Sequence, residues 1–478
     1  MNNAKPFWTL GLLGILFVIA APTAYFWPRL TKAIDSPWDH VPAKIAHVDH
    51  KDIIRGPFET PQEVTRECLT CHAEAASQMM KTTHFTWESQ PVTLPGHDLP
   101  VTIGKKNQIN NFCIGIQGNW NKCTTCHAGY GWSDANYDFN NPLNVDCLVC
   151  HADTGSYGKG LNGMPADGVD LVAAAKTVQA PTRLNCGRCH FDGGGGNGVK
   201  HGDLDESLYY PADNLDVHMG RNDFQCTDCH QTTDHQIKGR AISVTVDDTN
   251  QVECTDCHNA TPHKDDRLNF HTQSVACQTC HIPAIALEDP TKVMWDWSTA
   301  GQPGRQDDHF TYLKIKGSFI YEKNYNPTYL WFNGKLADRY ILGDKIDSTK
   351  PTVINQPAGD MGDPKARIAP FKLHIAKQPY DTVYNYLLQP RTAGAGGFWT
   401  TFDWKSALAL GAQDTGMQFS GEYGFTETWM YWQTSHMVQP AANALQCNDC
   451  HSASGRLDWK ALGYPGDPMV WGGRFQQK

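Results

Sequence analysis

The chain has 478 residues, with 40 lysines and arginines against 50 aspartates and glutamates, for a formal net charge of −10. An acidic balance of this size excludes nucleic acid as a partner, because phosphate backbones are gripped by clustered cations. The 17 cysteines and 21 histidines are the other outliers. They point to metal or prosthetic-group chemistry rather than to packing.

From Phe7 to Trp27 the sequence is apolar and uncharged, with Lys5 before it and Arg29 and Lys32 after it. The run is long enough to span a bilayer and reads as an uncleaved membrane anchor. The small residues Ala20-Ala21-Pro22-Thr23-Ala24 offer a cleaved signal as the alternative. Residues 1–60 thus hold this segment and a polar connector. Thr60-Pro61 then predicts a helix start.

On that helix begins the first of eight copies of Cys-x-x-Cys-His, which consume sixteen of the cysteines. The copies are Cys68/Cys71/His72, Cys123/Cys126/His127, Cys147/Cys150/His151, Cys186/Cys189/His190, Cys226/Cys229/His230, Cys254/Cys257/His258, Cys277/Cys280/His281 and Cys447/Cys450/His451. The two thiols of such a motif bind a haem through thioethers and its histidine ligates the iron. A zinc site would not require a histidine directly after every second cysteine. The cofactors are therefore eight covalently bound haem c groups. Attachment takes place on the exported side of a bacterial membrane, so the bulk of the chain is expected in the periplasm.

Residues 61–285 carry seven of the motifs and residues 286–478 carry one. Such crowding leaves little chain per haem. The expected fold is a multihaem cytochrome c, mostly α and irregular with a small β portion, its core formed largely by packed haems. The motifs show no constant period, which argues against a solenoid. Low-spin electron-transfer haems take a second axial histidine. His84, His201, His218, His235, His263, His271 and His436 are the nearest candidates. His40, His47, His50, His97, His309 and His374 compete for the same places.

Two features interrupt a pure electron wire. Cys113, in Asn111-Phe112-Cys113-Ile114, is the one cysteine outside the motifs. A thiol beside a haem is suited to attack a sulfur–sulfur bond, whereas a buried lone cysteine is usually inert. Lys200 ends a glycine-rich run from Gly193, and glycines let backbone approach a flat cofactor closely. A lysine there can reach an iron if its amine is neutral, or it can simply be solvated. Further on, the alternation from Phe310 to Lys335 predicts a hairpin, and the aromatics Tyr423, Phe425, Trp429 and Trp432 suit a helix from Gly421 to Met437.

The segment from Asn111 to Trp132, the glycine loop with Lys200 and the region from His436 to His451 resemble the octahaem tetrathionate reductase family of c-type cytochromes. The resemblance implies a reductase in which one haem has lysine in place of the second histidine. It implies His127 as proximal ligand of that haem, Lys200 as distal ligand and Cys113 as the neighbouring thiol. It further implies an aspartate and a lysine, five positions apart, in the active pocket, a spacing matched by Asp360 and Lys365. The expected substrate is a small inorganic anion such as tetrathionate, with nitrite or hydroxylamine as further substrates. Electrons would come from a quinol-linked or cytochrome donor. A passive carrier and a hydroxylamine-oxidising enzyme are the alternatives; nothing singles out one of the 17 tyrosines for the haem crosslink on which such oxidases depend.

Overall fold

The computed structural model describes residues 36–44, 46–112, 114–193 and 195–474. The apolar segment from Phe7 to Trp27 and Cys113 lie outside the described residues. Among those described, no helix is long and apolar enough to cross a membrane.

The haem-dense half is built from short helices joined by irregular backbone. Its first long helix, Pro61–Leu69, starts where the sequence places it. Proline takes the first turn, where its missing N–H costs nothing, and the Glu63 carboxylate accepts from the Thr60 and Glu59 amides at 3.3 and 2.7 Å. Several helices begin or end at the motifs themselves, as in Leu148–His151, Arg183–His190 and Cys277–His281.

Strands β1 (Thr232–Thr233) and β2 (Gln236–Ile237) form a small hairpin. The remaining strands are β3 (Thr291–Asp296), β4 (Tyr312–Leu313), β5 (Gly317–Glu322), β6 (Thr328–Phe332), β7 (Leu336–Arg339), β8 (Thr352–Pro357), β9 (Arg367–Asp381), β10 (Tyr386–Leu387) and β11 (Tyr423–Gln433). They make one mixed sheet in the order β4-β5-β3-β9-β11-β8-β7, with β6 and β10 also paired to β9.

One local expectation holds in part and another fails. The predicted hairpin forms around Lys316-Gly317, where β4 and β5 pair antiparallel, but not around Asn333-Gly334, where β6 pairs with β9 and β7 with β8. The predicted helix from Gly421 is the strand β11, paired antiparallel to β9 from Tyr423↔Asp381 to Gln433↔Phe371. Its aromatic and β-branched content suits a pleated surface, and long-range pairing overrode a pattern compatible with either element.

The largest apolar cluster lies between this sheet and the haem-dense half. Trp295, Ala376, Met430 and Trp432 of the sheet meet Ile109, Phe112, Ile114 and Val199. Rigid β backbone thereby backs the two segments that flank Cys113 and carry Lys200.

Candidate active site and haem ligands

Six motif histidines face a second histidine at almost one distance. The ring centres of His50 and His72 are 6.3 Å apart; those of His84–His190, His218–His258, His230–His436, His263–His281 and His271–His451 are each 6.2 Å apart. An iron about 2 Å from each ligating nitrogen, with each nitrogen about 1.1 Å from its ring centre, puts the rings about 6.2 Å apart. Interplanar angles run from 8° to 73°, as expected when a metal fixes separation but not torsion. No cluster of three or more His, Cys, Asp or Glu among the described residues could hold a bare metal ion. The spacing therefore fits iron already held in a porphyrin. A continuous cavity of about 4130 Å³ runs along most of the motif cysteines, several times the roughly 300–1,000 Å³ of a site for one small molecule.

The Nδ1 atoms are tied back, which aims Nε2 at the partner. His151 Nδ1 donates to the Gln179 carbonyl at 2.9 Å, His230 Nδ1 to the Lys238 carbonyl at 2.8 Å and His271 Nδ1 to the Arg267 carbonyl at 2.8 Å. His451 Nδ1 and Asp467 Oδ1 are 2.6 Å apart.

Of the seven second-ligand candidates, His84, His218, His263, His271 and His436 stand opposite a motif histidine. His50, from the competing set, faces His72. His201 instead packs edge-on against Trp432 at 4.8 Å, and burial pushes its pKa down to about 3. His235 and His47 both lie within electrostatic reach of His151, and His235 Nδ1 is 2.9 Å from Gln78 Oε1.

Thiols of different motifs touch, which orders the haems. Cys68 contacts Cys147, Cys126 contacts Cys189, Cys186 contacts Cys226 and Cys254 contacts Cys277. Cys229 lies near Cys257 and Cys280 near Cys450. Numbered by motif, the haems run 1-3-4-5-6-7-8, joined between third and fourth by the proximity of Cys150 to Cys186. The second haem branches from the fourth.

Cys71 is exposed and does not line the cavity, and its Sγ lies 3.8 Å from the Thr70 hydroxyl in the turn that follows the helix Pro61–Leu69. Cys229, Cys254 and Cys447 are exposed as well, but all three line the cavity.

The second haem is where the ligand pattern breaks. His127 is fully buried among Phe85, Trp87, Trp132, Tyr137 and Phe139, with ring centres 4.7 to 6.2 Å away. Its Nε2 lies 2.6 Å from the Phe85 carbonyl oxygen. Nδ1 is buried without a partner. Burial, the largest influence, pushes the imidazole pKa down to about 3. Among the described residues no second histidine stands in this cage, so His127, the expected proximal ligand of the second haem, lacks the opposing imidazole that six other motif histidines have.

Lys200 is half-buried on the cavity wall. Its Nζ lies 5.7 Å from the centre of the Phe112 ring, and its charge is felt at Cys126 and His190. A Cβ on Gly193 would sit 2.6 Å from Lys200 Nζ and 2.3 Å from the Cys189 carbonyl, so the glycine makes room for the amine. Lys105 and Lys159 add positive charge beside Cys126. Lys159 Nζ is bound to Asp146 Oδ2 at 2.6 Å, and the Tyr157 hydroxyl donates to the same carboxylate at 2.8 Å.

Asp360 and Lys365 do not join this site. Both are exposed on the turn between β8 and β9, where Asp360 Oδ1 accepts from the Gly362 and Asp363 amides at 2.6 and 3.0 Å, and neither lines the cavity. Spacing alone selected an Asx turn. The residues that sequence reasoning missed, Lys292 and Lys372, come from β3 and β9, and His374, named among the competing histidines, lies beside them. Lys292 and Lys372 are 1% exposed, and Lys292 Nζ lies 3.6 Å from the centre of the Trp295 ring. His374 is also 1% exposed, its Nδ1 3.0 Å from Asn111 Oδ1 and its Nε2 buried without a partner. Nothing in a linear sequence separates these from surface charges; only the pairing of β9 at the sheet's centre buries them.

A family model described as bacterial cytochrome c matches residues 292–454, and one described as cytochrome c7 and related cytochrome c matches residues 212–282. An uncharacterized protein of Archaeoglobus fulgidus is 24% identical over 240 residues, which is 40% of this chain and 80% of that protein. The crystal structure of octaheme cytochrome c from Shewanella oneidensis superposes with a TM-score of 0.83 at 49% identity, covering 89% of this chain and 98% of that one. With eight attachment motifs, histidine pairs spaced for iron and this degree of likeness along nearly the whole relative, the chain belongs to the octahaem c-type cytochromes.

Proposed function

We propose that the protein is a periplasmic reductase of small inorganic anions, with the second haem as its reaction centre and the others as its electron supply. The observation that supports this reading is that His127 has only aromatic rings around it and no second histidine, while six other motif histidines face a partner at iron-spanning distance. With His127 as its proximal base, the second iron needs a distal base other than histidine, and Lys200 is an amine within electrostatic reach of that motif's Cys126. Ligation requires a neutral amine, which burial and a bound cation both favour.

When bound, the haem supplies one-electron chemistry and a coordination position. The chain's residues do the rest. Lys105, Lys159 and Lys200 put positive charge at the Cys126 side, which attracts an anion despite the overall charge of −10. The ring of Phe112 and the cage of Trp87 and Trp132 keep the surroundings dry, which strengthens those charges. Tetrathionate is the favoured substrate: two electrons cleave its central sulfur–sulfur bond to give two thiosulfates, and the Cys113 thiol is placed by the sequence to exchange with one half. Nitrite and hydroxylamine are the second substrate class, since both are small enough for the same iron. A quinol-linked or cytochrome donor supplies electrons, and the segment from Phe7 to Trp27 tethers the protein to the membrane that holds it.

Low-temperature electron paramagnetic resonance of the oxidised protein tests the reading. One centre distinct from the bis-histidine signals is expected, and Lys200→Met should alter that centre alone while turnover falls on the order of 10- to 100-fold. Eight bis-histidine signals, unchanged in Lys200→Met, would make the protein a carrier.

A further inference from the structure

We infer that Lys372 is a positioning residue for the second haem: its ammonium clamps the backbone that carries Lys200 and so fixes where the Lys200 amine can reach. The inference rests on the proposed role of Lys200 and deepens it.

Lys372 lies near the middle of β9, opposite Trp432 of β11, with only 1% of its surface exposed. A charge at the heart of a sheet is costly unless every donor is used. Here all three are used. Nζ donates to the Val199 carbonyl at 2.8 Å, to the Lys200 carbonyl at 2.9 Å and to Thr291 Oγ1 at 2.5 Å. Thr291, on β3, passes its own hydroxyl proton to the Gly198 carbonyl at 2.6 Å. Two strands of the sheet therefore hold three consecutive carbonyls, those of residues 198, 199 and 200. Gly198 takes φ +65°, and Gly195 and Gly196 take φ +128° and +132°, so the run leading into Lys200 has little stiffness of its own. What it lacks, the sheet supplies.

The clamp is specific to this lysine's surroundings. Lys292, equally buried on the neighbouring strand β3, points its ammonium at the rings of Trp295 and Phe319, 3.6 and 3.8 Å from their centres. A few residues beyond the clamped segment, Asp203 Oδ2 accepts from the Ser435 and His436 amides at 2.6 and 2.9 Å and lies 3.1 Å from His436 Nδ1. The segment is thus fixed at one end to the ligand pair of the fifth haem and in its middle to Lys372.

The test compares Lys372→Met, Lys372→Arg, Thr291→Val and Lys200→Met in the haem-loaded, full-length protein, reading the paramagnetic resonance spectrum and the split between KM and kcat for tetrathionate. In Lys372→Met the distinct centre should broaden or change its g-values while the bis-histidine signals keep theirs, and kcat should fall about tenfold, the scale of lost second-layer support. Lys372→Arg, which can still donate to both carbonyls, should restore part of the signal, and Thr291→Val should shift it in the same direction by less. An unchanged distinct centre in Lys372→Met, in a protein whose Lys200→Met variant does change it, overturns the clamp and leaves Lys200 standing. No change in Lys200→Met itself overturns both. Should Lys372→Met fail to assemble, an unchanged centre in Thr291→Val overturns the clamp.

Discussion

The second and seventh attachment motifs use the same letters and end in opposite geometries. In the seventh, one helix runs through the motif, Cys277–His281, and the histidine is its last residue. His281 leaves with its ring parallel to His263, 6.2 Å away and tilted by only 8°. In the second, the helix Trp120–Cys123 gives way to a 3₁₀ turn, Thr124–Cys126, and His127 follows in extended backbone at φ −73° and ψ 138°. The break is bound in place: the Thr124 hydroxyl lies 2.8 Å from the Trp120 carbonyl and 2.9 Å from that of Trp132. Helical backbone through the histidine is not what pairs it, since His230 and His451 follow their helices and His258 a 3₁₀ turn, yet each faces a second histidine. What sets the second motif apart is the aromatic cage around His127.

The most direct way to break that contrast is Trp132→Ala. Trp132 is 1% exposed and touches His127, Trp87, Trp120, Tyr137 and Phe139. Removing it should cost about 4 kcal/mol of stability, within the range for a buried tryptophan, measured by denaturant unfolding. It should also loosen the packing that orients His127, so that the spectrum of the second haem shifts while the seventh haem is unchanged. A stable variant with an unaltered second haem would mean that the cage does not position His127.

A smaller effect is expected from Lys159→Met. Lys159 and Asp146 have side chains 5% and 0% exposed, and the pair sits behind the same motif, with Lys159 Nζ also donating to the Gly129 carbonyl at 3.1 Å. Leaving the carboxylate buried without its cation should cost about 3 kcal/mol, softened by the hydrogen bond from Tyr157. Loss of one positive charge beside Cys126 should also raise KM for an anionic substrate more than it lowers kcat. The asymmetry separates attraction of the anion from chemistry at the iron, and the seventh haem should not notice.

How much of this was readable in the chain follows the range of the forces involved. Haem attachment is local, so eight motifs could be read from neighbouring letters. Ligand pairing is not local: His50 faces His72, and His436 reaches back across some two hundred positions to His230. Of the five candidates that stand opposite a motif histidine, only His218 and His263 face a motif close by in the chain, whereas His84 and His271 face His190 and His451 far along it. The sheet was poorly legible because β9 collects partners from both sides at large separations, β3 and β6 before it and β11 after it. An aromatic run such as Tyr423 to Trp432 satisfies a helix or a strand, and only β9 chooses. The same burial hides Lys372 and His374, whose letters look like surface charges until the strand is central.

The smallest effect is the most useful control. Asp360→Asn and Lys365→Met alter residues that the sequence resemblance assigns to the active pocket by their spacing but that sit on an exposed turn. Each should change stability by no more than about 0.5 kcal/mol, as surface substitutions do, and neither should alter turnover beyond about twofold, because a charge this exposed is screened within about 10 Å at ordinary salt. Asp360 does organise its own turn through the Gly362 and Asp363 amides, so asparagine, which retains an accepting oxygen, is the fair replacement. A loss of turnover approaching that of Lys200→Met would show that the turn closes over the second haem during the reaction, and that the exposed position is only one of its states.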